Sequence, residues 1–216
     1  MPFRVEILCS DRTHPVYPWL ERWRDARAGD AQILLRDRAA ELGEGDILFL
    51  IACQEIVGPA LRARFRHTLV IHESALPKGR GWSPLVWQLL EGNNRIPVTL
   101  LEAEDKVDSG RIWHQLTVDF DGTELAAEIN ARISAAKIEL MDWALAHAGD
   151  VQPRDQTGEP SYYRKRTPAD SELAADATFA ESFALLRVAD EERYPAFVRL
   201  GGKRYRVRLD PLPDEG

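Results

Sequence analysis

The sequence predicts an open α/β sheet followed by a small α+β segment. Three observations predict it. Strand-like and helix-like segments alternate through the first half, as βα units do. Residues 47–52, ILFLIA, are apolar without a break, the mark of a strand buried on both faces. Beyond residue 150 the pattern changes to one helix and one hairpin.

The elements follow in order. Residues 3–9, FRVEILC, read as a strand that stops at Ser10. Residues 17–28 have helical spacing, with Leu20, Trp23 and Ala26 on one side. Residues 31–35 and 47–52 are the next two strands. Residues 55–64 suit a helix, and 68–72, TLVIH, a further strand. A loop with Pro77, Gly79, Gly81 and Pro84 follows. Ser83 is placed to cap a helix with Pro84 at its first position, and that helix stops at Gly92. Residues 96–103 and 111–120 alternate like strands around a polar loop. The longest helical pattern is 123–148, with Leu125, Ile129, Ile133, Ile138, Leu140 and Trp143 as its apolar members. A polar linker, 149–161, leads to a helix near 178–188 and a hairpin turning at Gly201-Gly202. The expected division is a core at 1–149 and an extension at 150–216.

The 216 residues suffice for one good core. A net charge of -7 argues against bulk nucleic-acid binding, which needs a positive surface. No apolar run approaches the roughly 20 residues of a membrane span. The start shows no signal-peptide pattern, so a cytoplasmic protein is expected. Two cysteines, Cys9 and Cys53, are too few for a disulfide framework or a zinc site, and both are expected to be buried thiols. There is no GxGxxG and no Walker loop.

His72 ends a predicted strand at the mouth of a rigid loop, where open α/β sheets place their ligands. His14, His67, His114 and His147 lack that setting and are read as structural. Asp108 lies in a later loop, before Ser109-Gly110. A His–carboxylate pair holds one imidazole tautomer and stabilises the imidazolium formed in proton transfer.

The stretch IHESALPKGRGWSP, then EGNNRIPVTLLEA, then KVDSGRIW resembles the formyltransferases that use 10-formyltetrahydrofolate. Their pattern is N-x-H-x-S-x-L-P-x-x-R-G-x-x-P, then a glycine, a Val-Thr pair and Asp-Ser/Thr-Gly. His72, Ser74, Leu76, Pro77, Arg80, Gly81, Pro84, Gly92, Val98, Thr99, Asp108, Ser109 and Gly110 fit it in order. The tail, YYRKRTPADSEL and LLRVADEERYPAFV, is similar to sugar N-formyltransferases.

The resemblance implies a Rossmann-like core and an amine acceptor attacking the formyl carbon. It makes His72 the residue that assists proton transfer and polarises the developing oxyanion. Asp108 would orient His72 and shuttle the amine proton. It places pterin recognition at Gln54, Glu55 and Ile56 and at Glu104, Asp105, Lys106 and Val107, largely through backbone groups. Ser74, Arg80 and Trp82 fall on the substrate side, although Arg80 also reads as a brace for the loop and Trp82 as packing. Arg164, Lys165 and Arg166 are candidates for a diphosphate, since guanidinium groups bind phosphate well. A small-molecule amine, that of a nucleotide-linked amino sugar, is the implied partner. The hairpin edge is where a second copy would pair as a homodimer.

The pattern is broken at Val70, where the family has an asparagine that donates to the formyl oxygen. Losing one such donor costs about 10²–10³ in rate. Gln54 and Ser74 are the candidate substitutes. Residues 1–69 leave little spare chain for a deep folate cleft. Two other readings stay open: hydrolysis of 10-formyltetrahydrofolate by water, and a binding domain without turnover.

Overall fold

The computed structural model describes residues 3–212, so the outermost ends of both expected segments, 1–2 and 213–216, lie outside the described residues. In chain order the elements are β1 (Phe3–Leu8), α1 (Tyr17–Ala26), β2 (Ala31–Arg36), β3 (Gly45–Leu50), α2 (Pro59–Arg62), β4 (Phe65–His72), β5 (Arg80–Gly81), α3 (Pro84–Leu90), β6 (Arg95–Glu102), β7 (Ile112–Asp119), α4 (Ala126–His147), β8 (Tyr162–Tyr163), β9 (Glu172–Leu173), α5 (Phe179–Arg187), β10 (Phe197–Leu200) and β11 (Lys203–Arg206). The main sheet has the order β2-β1-β3-β4-β6-β7. Its first four strands are parallel; β6 and β7 are antiparallel additions.

Strand alternation builds two core layers. Ile7, Phe49, Leu69, Ile71 and Leu100 face α1 and α4, whose Leu20, Trp23, Ile129, Ile133 and Leu140 complete one layer. Leu8, Leu48 and Phe65 face the other way, onto Ala39, Leu42 and Val57. Each fully buried leucine or isoleucine contributes about 1.5–3 kcal/mol. Trp23 also anchors α1 to α4, its Nε1–H donating to Asp142 Oδ1 at 2.6 Å.

The extension is knitted onto the core. Arg187 of α5 is buried and donates to Glu124 Oε2 (3.1 Å), to the Glu124 carbonyl (3.1 Å) and to Asn94 Oδ1 (2.7 Å). Strand β8 pairs in parallel with β5, in the loop that follows His72. Strands β9, β10 and β11 form a separate three-stranded sheet.

Three local expectations are corrected. Residues 55–64 give only the single turn α2. The cause is Gly58-Pro59: the residue before proline is pushed to extended backbone, and Gly58 has φ -69° and ψ 166°. Ser83 precedes Pro84 as expected but does not cap α3. Its backbone is left-handed, with φ 50°, and its side chain makes no cap hydrogen bond. Cys9 is buried, and burial pushes its thiol up to about 11; Cys53 is only half-buried, since the apolar run ends before it.

Candidate active site

Strand β4 delivers His72 to the carboxyl end of the parallel strands, 6% exposed. The Gly79 carbonyl lies 2.8 Å from His72 Nε2. A carbonyl can only accept, so Nε2 carries the proton. The other nitrogen, Nδ1, faces Asp108 Oδ1 at 3.7 Å. That is longer than a hydrogen bond and within ion-pair range. Asp108 is fixed from the opposite side: its Oδ2 accepts the Gly81 N–H at 2.9 Å. Its backbone is left-handed, with φ 54°. Such a conformation costs about 1–2 kcal/mol for most residues, and aspartate is among the few that tolerate it.

Distant polar side chains hold these loops. Thr99 Oγ1 donates to the Ser74 carbonyl (2.6 Å) and accepts from Gln115 Nε2 (2.7 Å). Gln88 Nε2 donates to the Glu73 carbonyl at 2.6 Å. Gln156 Nε2 donates to the carbonyls of Asp108 (2.9 Å) and Gly110 (2.8 Å), while its Oε1 accepts from Arg80 Nη2 (2.6 Å). Gln156 was not legible as a site residue, because it sits in a polar linker without pattern. Arg80 is thereby turned to bracing the loop: it is 7% exposed and also reaches the Tyr162 hydroxyl at 3.4 Å.

Val70 lies two residues before His72 and packs against Leu76, Leu101 and Ile112. It gives that wall no donor. Ser74 is almost fully buried, and its hydroxyl has no partner among the described residues. It lies against Gly79, the residue that binds His72. Gln54 is exposed, and its backbone N–H donates to Ser10 Oγ at 2.7 Å. Glu55 turns away to accept the Ala39 N–H at 3.2 Å. Glu104, Asp105 and Lys106 are exposed. An ion pair between Arg62 and Asp105 ties the loop at 103–108 to α2, next to the turn at 53–56. Ile56 and Val107 hold their side chains 87% and 59% exposed.

The three consecutive cations do not converge. Arg164 pairs with Asp170 and lies over Trp87. Lys165 lies over the exposed Trp82 ring, 4.6 Å from its centroid. Arg166 alone is buried. Next to His72, Glu73 turns toward α4, where Lys137 Nζ meets its Oε1 at 2.5 Å. Burial alone would push the Glu73 carboxyl up; Lys137, His72 and His14 more than offset this and leave it below its ordinary range.

Among the described residues, no three His, Cys, Asp or Glu side chains are placed to hold a metal ion, and no helix is long and apolar enough to cross a membrane. His114 and His147 both stack on Trp143, and His67 sits edge-on to Trp113. His14 lines a cleft beside Glu73.

Solved structures share this fold along nearly the whole chain. A methionyl-tRNA formyltransferase from Clostridium thermocellum superimposes with a TM-score of 0.83 at 20% identity, covering 99% of this chain and 95% of that one. A sugar N-formyltransferase from Shewanella sp FDAARGOS_354 gives 0.74 at 16% identity, covering 99% of each chain. HypX from Aquifex aeolicus, in complex with tetrahydrofolic acid, gives 0.78 at 19% identity, covering 97% of this chain and 38% of that one. At such identities the likeness is one of fold. The sequence model described as formyl transferase matches residues 20–145, more than half of the chain and the whole stretch that carries His72 and Asp108. The chain belongs to the formyl transferase family.

Proposed function

We propose that this enzyme moves a formyl group from 10-formyltetrahydrofolate to a primary amine, that of a nucleotide-linked amino sugar. The observation that carries the reading is the buried juxtaposition of His72 Nδ1 and Asp108 Oδ1 at the carboxyl end of β4. The sugar reading is supported by the sugar N-formyltransferase among the structural neighbours, the folate reading by the HypX complex.

The residues present fit such a donor. The loop at 103–108 is tied to α2, which follows the turn at 53–56, and the two segments carry the exposed apolar side chains of Ile56 and Val107, which suits a flat heterocycle. When bound, the folate supplies the activated formyl carbon. The protein's part is proton handling and orientation. Nε2 of His72 is tied to Gly79, so Nδ1 and Asp108 Oδ1 are the two groups placed to take a proton from the attacking amine. Positioned acid–base groups contribute about 10²–10⁴ in rate. The buried Ser74 hydroxyl, two residues after His72 and without a partner among the described residues, is our candidate donor to a developing oxyanion, since Val70 supplies none. Strand β11 is an outer strand of its sheet, with its Tyr205 and the neighbouring Leu200 of β10 about half exposed, and we place a second copy of the chain there.

The test is mass spectrometry on a pool of nucleotide-linked amino sugars incubated with the protein and 10-formyltetrahydrofolate. A single acceptor gaining a formyl group, lost in His72→Ala, is the expected result. Formate released without any amine would make the protein a hydrolase. An unconsumed folate with no formylated amine would sink the proposal.

A further inference from the structure

His72 has two carboxylates near it. Asp108 Oδ1 faces its Nδ1 at 3.7 Å, from the loop after β6. The next residue in the chain, Glu73, carries the other. The turn at 72–74 is anchored through its main chain. The Ser74 N–H closes it onto the His72 carbonyl at 3.0 Å. Thr99 of β6 holds the Ser74 carbonyl and Gln88 of α3 the Glu73 carbonyl, each at 2.6 Å. The Glu73 side chain takes no part in those anchors. It is aimed at α4, where Lys137 Nζ meets Oε1 at 2.5 Å.

A buried ion pair is a weak source of stability, because both charges lose their water. What sets this pair apart is its position. Lys137 interrupts the buried residues of α4 that include Ile133, Ala136, Leu140 and Met141, and it does so where the helix passes the residue that follows His72. Burial favours a protonated Glu73; Lys137, then His72, reverse this and keep the carboxyl ionised. The attraction is mutual, so an ionised Glu73 favours the imidazolium form of His72. His14, in the cleft beside Glu73, does not compete for that charge. Burial, then Lys137 and Arg193, push its pKa down to about 4, so it is neutral at pH 7. The other charged groups lining the cleft are Arg166, Asp190 and Arg193, of which Arg193 pairs with Asp11 at 3.1 Å.

We propose that Glu73 and Lys137 are positioning residues for the transfer: Lys137 keeps the Glu73 carboxylate ionised and fixed beside His72, and that charge stabilises the imidazolium formed when His72 takes the amine proton. This rests on the proton-transfer role given to His72 above and adds a second carboxylate to it. The N–H bond of the amine breaks as its proton passes to Nδ1, and the Glu73–Lys137 pair exchanges no proton in the step. Asp108 acts on Nδ1 directly; Glu73 acts through its charge alone.

The test is an NMR pH titration of the histidine ring protons in the full chain, with His72→Gln to assign the His72 signal. Glu73→Gln keeps an acceptor for Lys137 and loses only the charge, so the His72 midpoint is expected to fall by about one pH unit, a tenfold loss of proton affinity. In the double variant Glu73→Leu/Lys137→Met both charges go. The midpoint should then fall by less, while Tm stays near that of the wild type. Should Glu73→Gln not fold, the double variant decides by the same midpoint. With the acceptor identified by mass spectrometry, the acid limb of kcat/KM against pH is expected to move down with the midpoint. The proposal is overturned if the midpoint and the acid limb match the wild type, or if the double variant does not fold, which would make the pair structural. The transfer reading is judged separately. A lowered midpoint without formylation of any amine keeps the action of the pair on His72 and removes the transfer. Formylation by Glu73→Gln at the wild-type rate, with an unmoved midpoint, removes the pair and keeps the transfer.

Discussion

Gly110→Ala tests how tightly the fold holds Asp108. A Cβ at residue 110 would stand 1.9 Å from the Glu102 carbonyl oxygen and 2.7 Å from its carbon. Gly110 has no positive φ, so the requirement is close approach and not backbone freedom. Strands β6 and β7 must separate by about 1.5 Å at this point to restore ordinary contact. The Gly110 and Asp108 carbonyls share one donor, Gln156 Nε2, so the shift is transmitted to Asp108. Overpacking of this kind costs about 1–3 kcal/mol. For a protein of this size that lowers Tm by roughly 2–12 °C. A displacement of about 1 Å between reacting groups costs on the order of 10² in rate. The assay is the initial rate of formyl transfer to the acceptor found by mass spectrometry, beside a thermal melt. Ser109→Ala is the control: it removes one exposed hydrogen bond, Oγ to the Lys106 carbonyl at 2.7 Å, and should cost no more than about 1.5 kcal/mol. A Gly110→Ala protein with wild-type rate and wild-type Tm would refute the reasoning.

Three further outcomes are expected. Asp108→Asn keeps an oxygen to accept the Gly81 N–H and loses the charge facing His72, so kcat should fall by about 10²–10⁴ while Tm stays near that of the wild type; equal losses in both would make Asp108 a structural residue. Lys137→Met strands a buried carboxylate and should cost about 3–5 kcal/mol in urea unfolding at pH 7, more than the double variant Glu73→Leu/Lys137→Met. The folded pKa of Glu73 lies below its unfolded value, so this stabilisation is complete above the unfolded value and is lost as pH falls through the folded one; a wild-type minus Lys137→Met difference that did not shrink in acid would contradict it. Val70→Asn adds a donor two residues before His72 and should raise the rate by up to about 10²–10³ while costing about 1–3 kcal/mol of stability; an unchanged rate would show that another group, Ser74 first, already holds the oxyanion.

The sheet was largely legible in the sequence because its strands obey local rules. ILFLIA marked β3 to within two residues, and the Gly201-Gly202 turn marked the β10–β11 hairpin. The misses are places where one residue overrides its neighbours. Gly58-Pro59 cut a helical pattern down to one turn. Lys137 shows the other kind of miss. Ile129 and Ile133 predict an apolar stripe on α4, and four residues on, that stripe carries a lysine that is 4% exposed. A charge on a buried stripe was the available signal for the Glu73 pair. Gln156 had no such signal, since its three hydrogen bonds join segments far apart in the chain. His72 and Asp108 stood out through a motif; that their side chains face each other follows from the antiparallel pairing of His72 with Thr99 and from the loop that β6 feeds.

The site divides its labour by the kind of atom used. On the side of residues 53–56 and 103–108, the exposed apolar side chains are Ile56 and Val107. Between these segments and the extension, Gly79, Gly81, Asp108 and Gly110 are fixed by main-chain hydrogen bonds and close packing, which position one imidazole and one carboxylate. On the side of α4, the wall is made of charged side chains, Glu73, Lys137, Arg166 and Arg193, each on a different segment. A substitution at Lys137 therefore changes the charge of the cleft and also releases Glu73, the residue that follows His72, so charge in this wall and the setting of the imidazole are coupled.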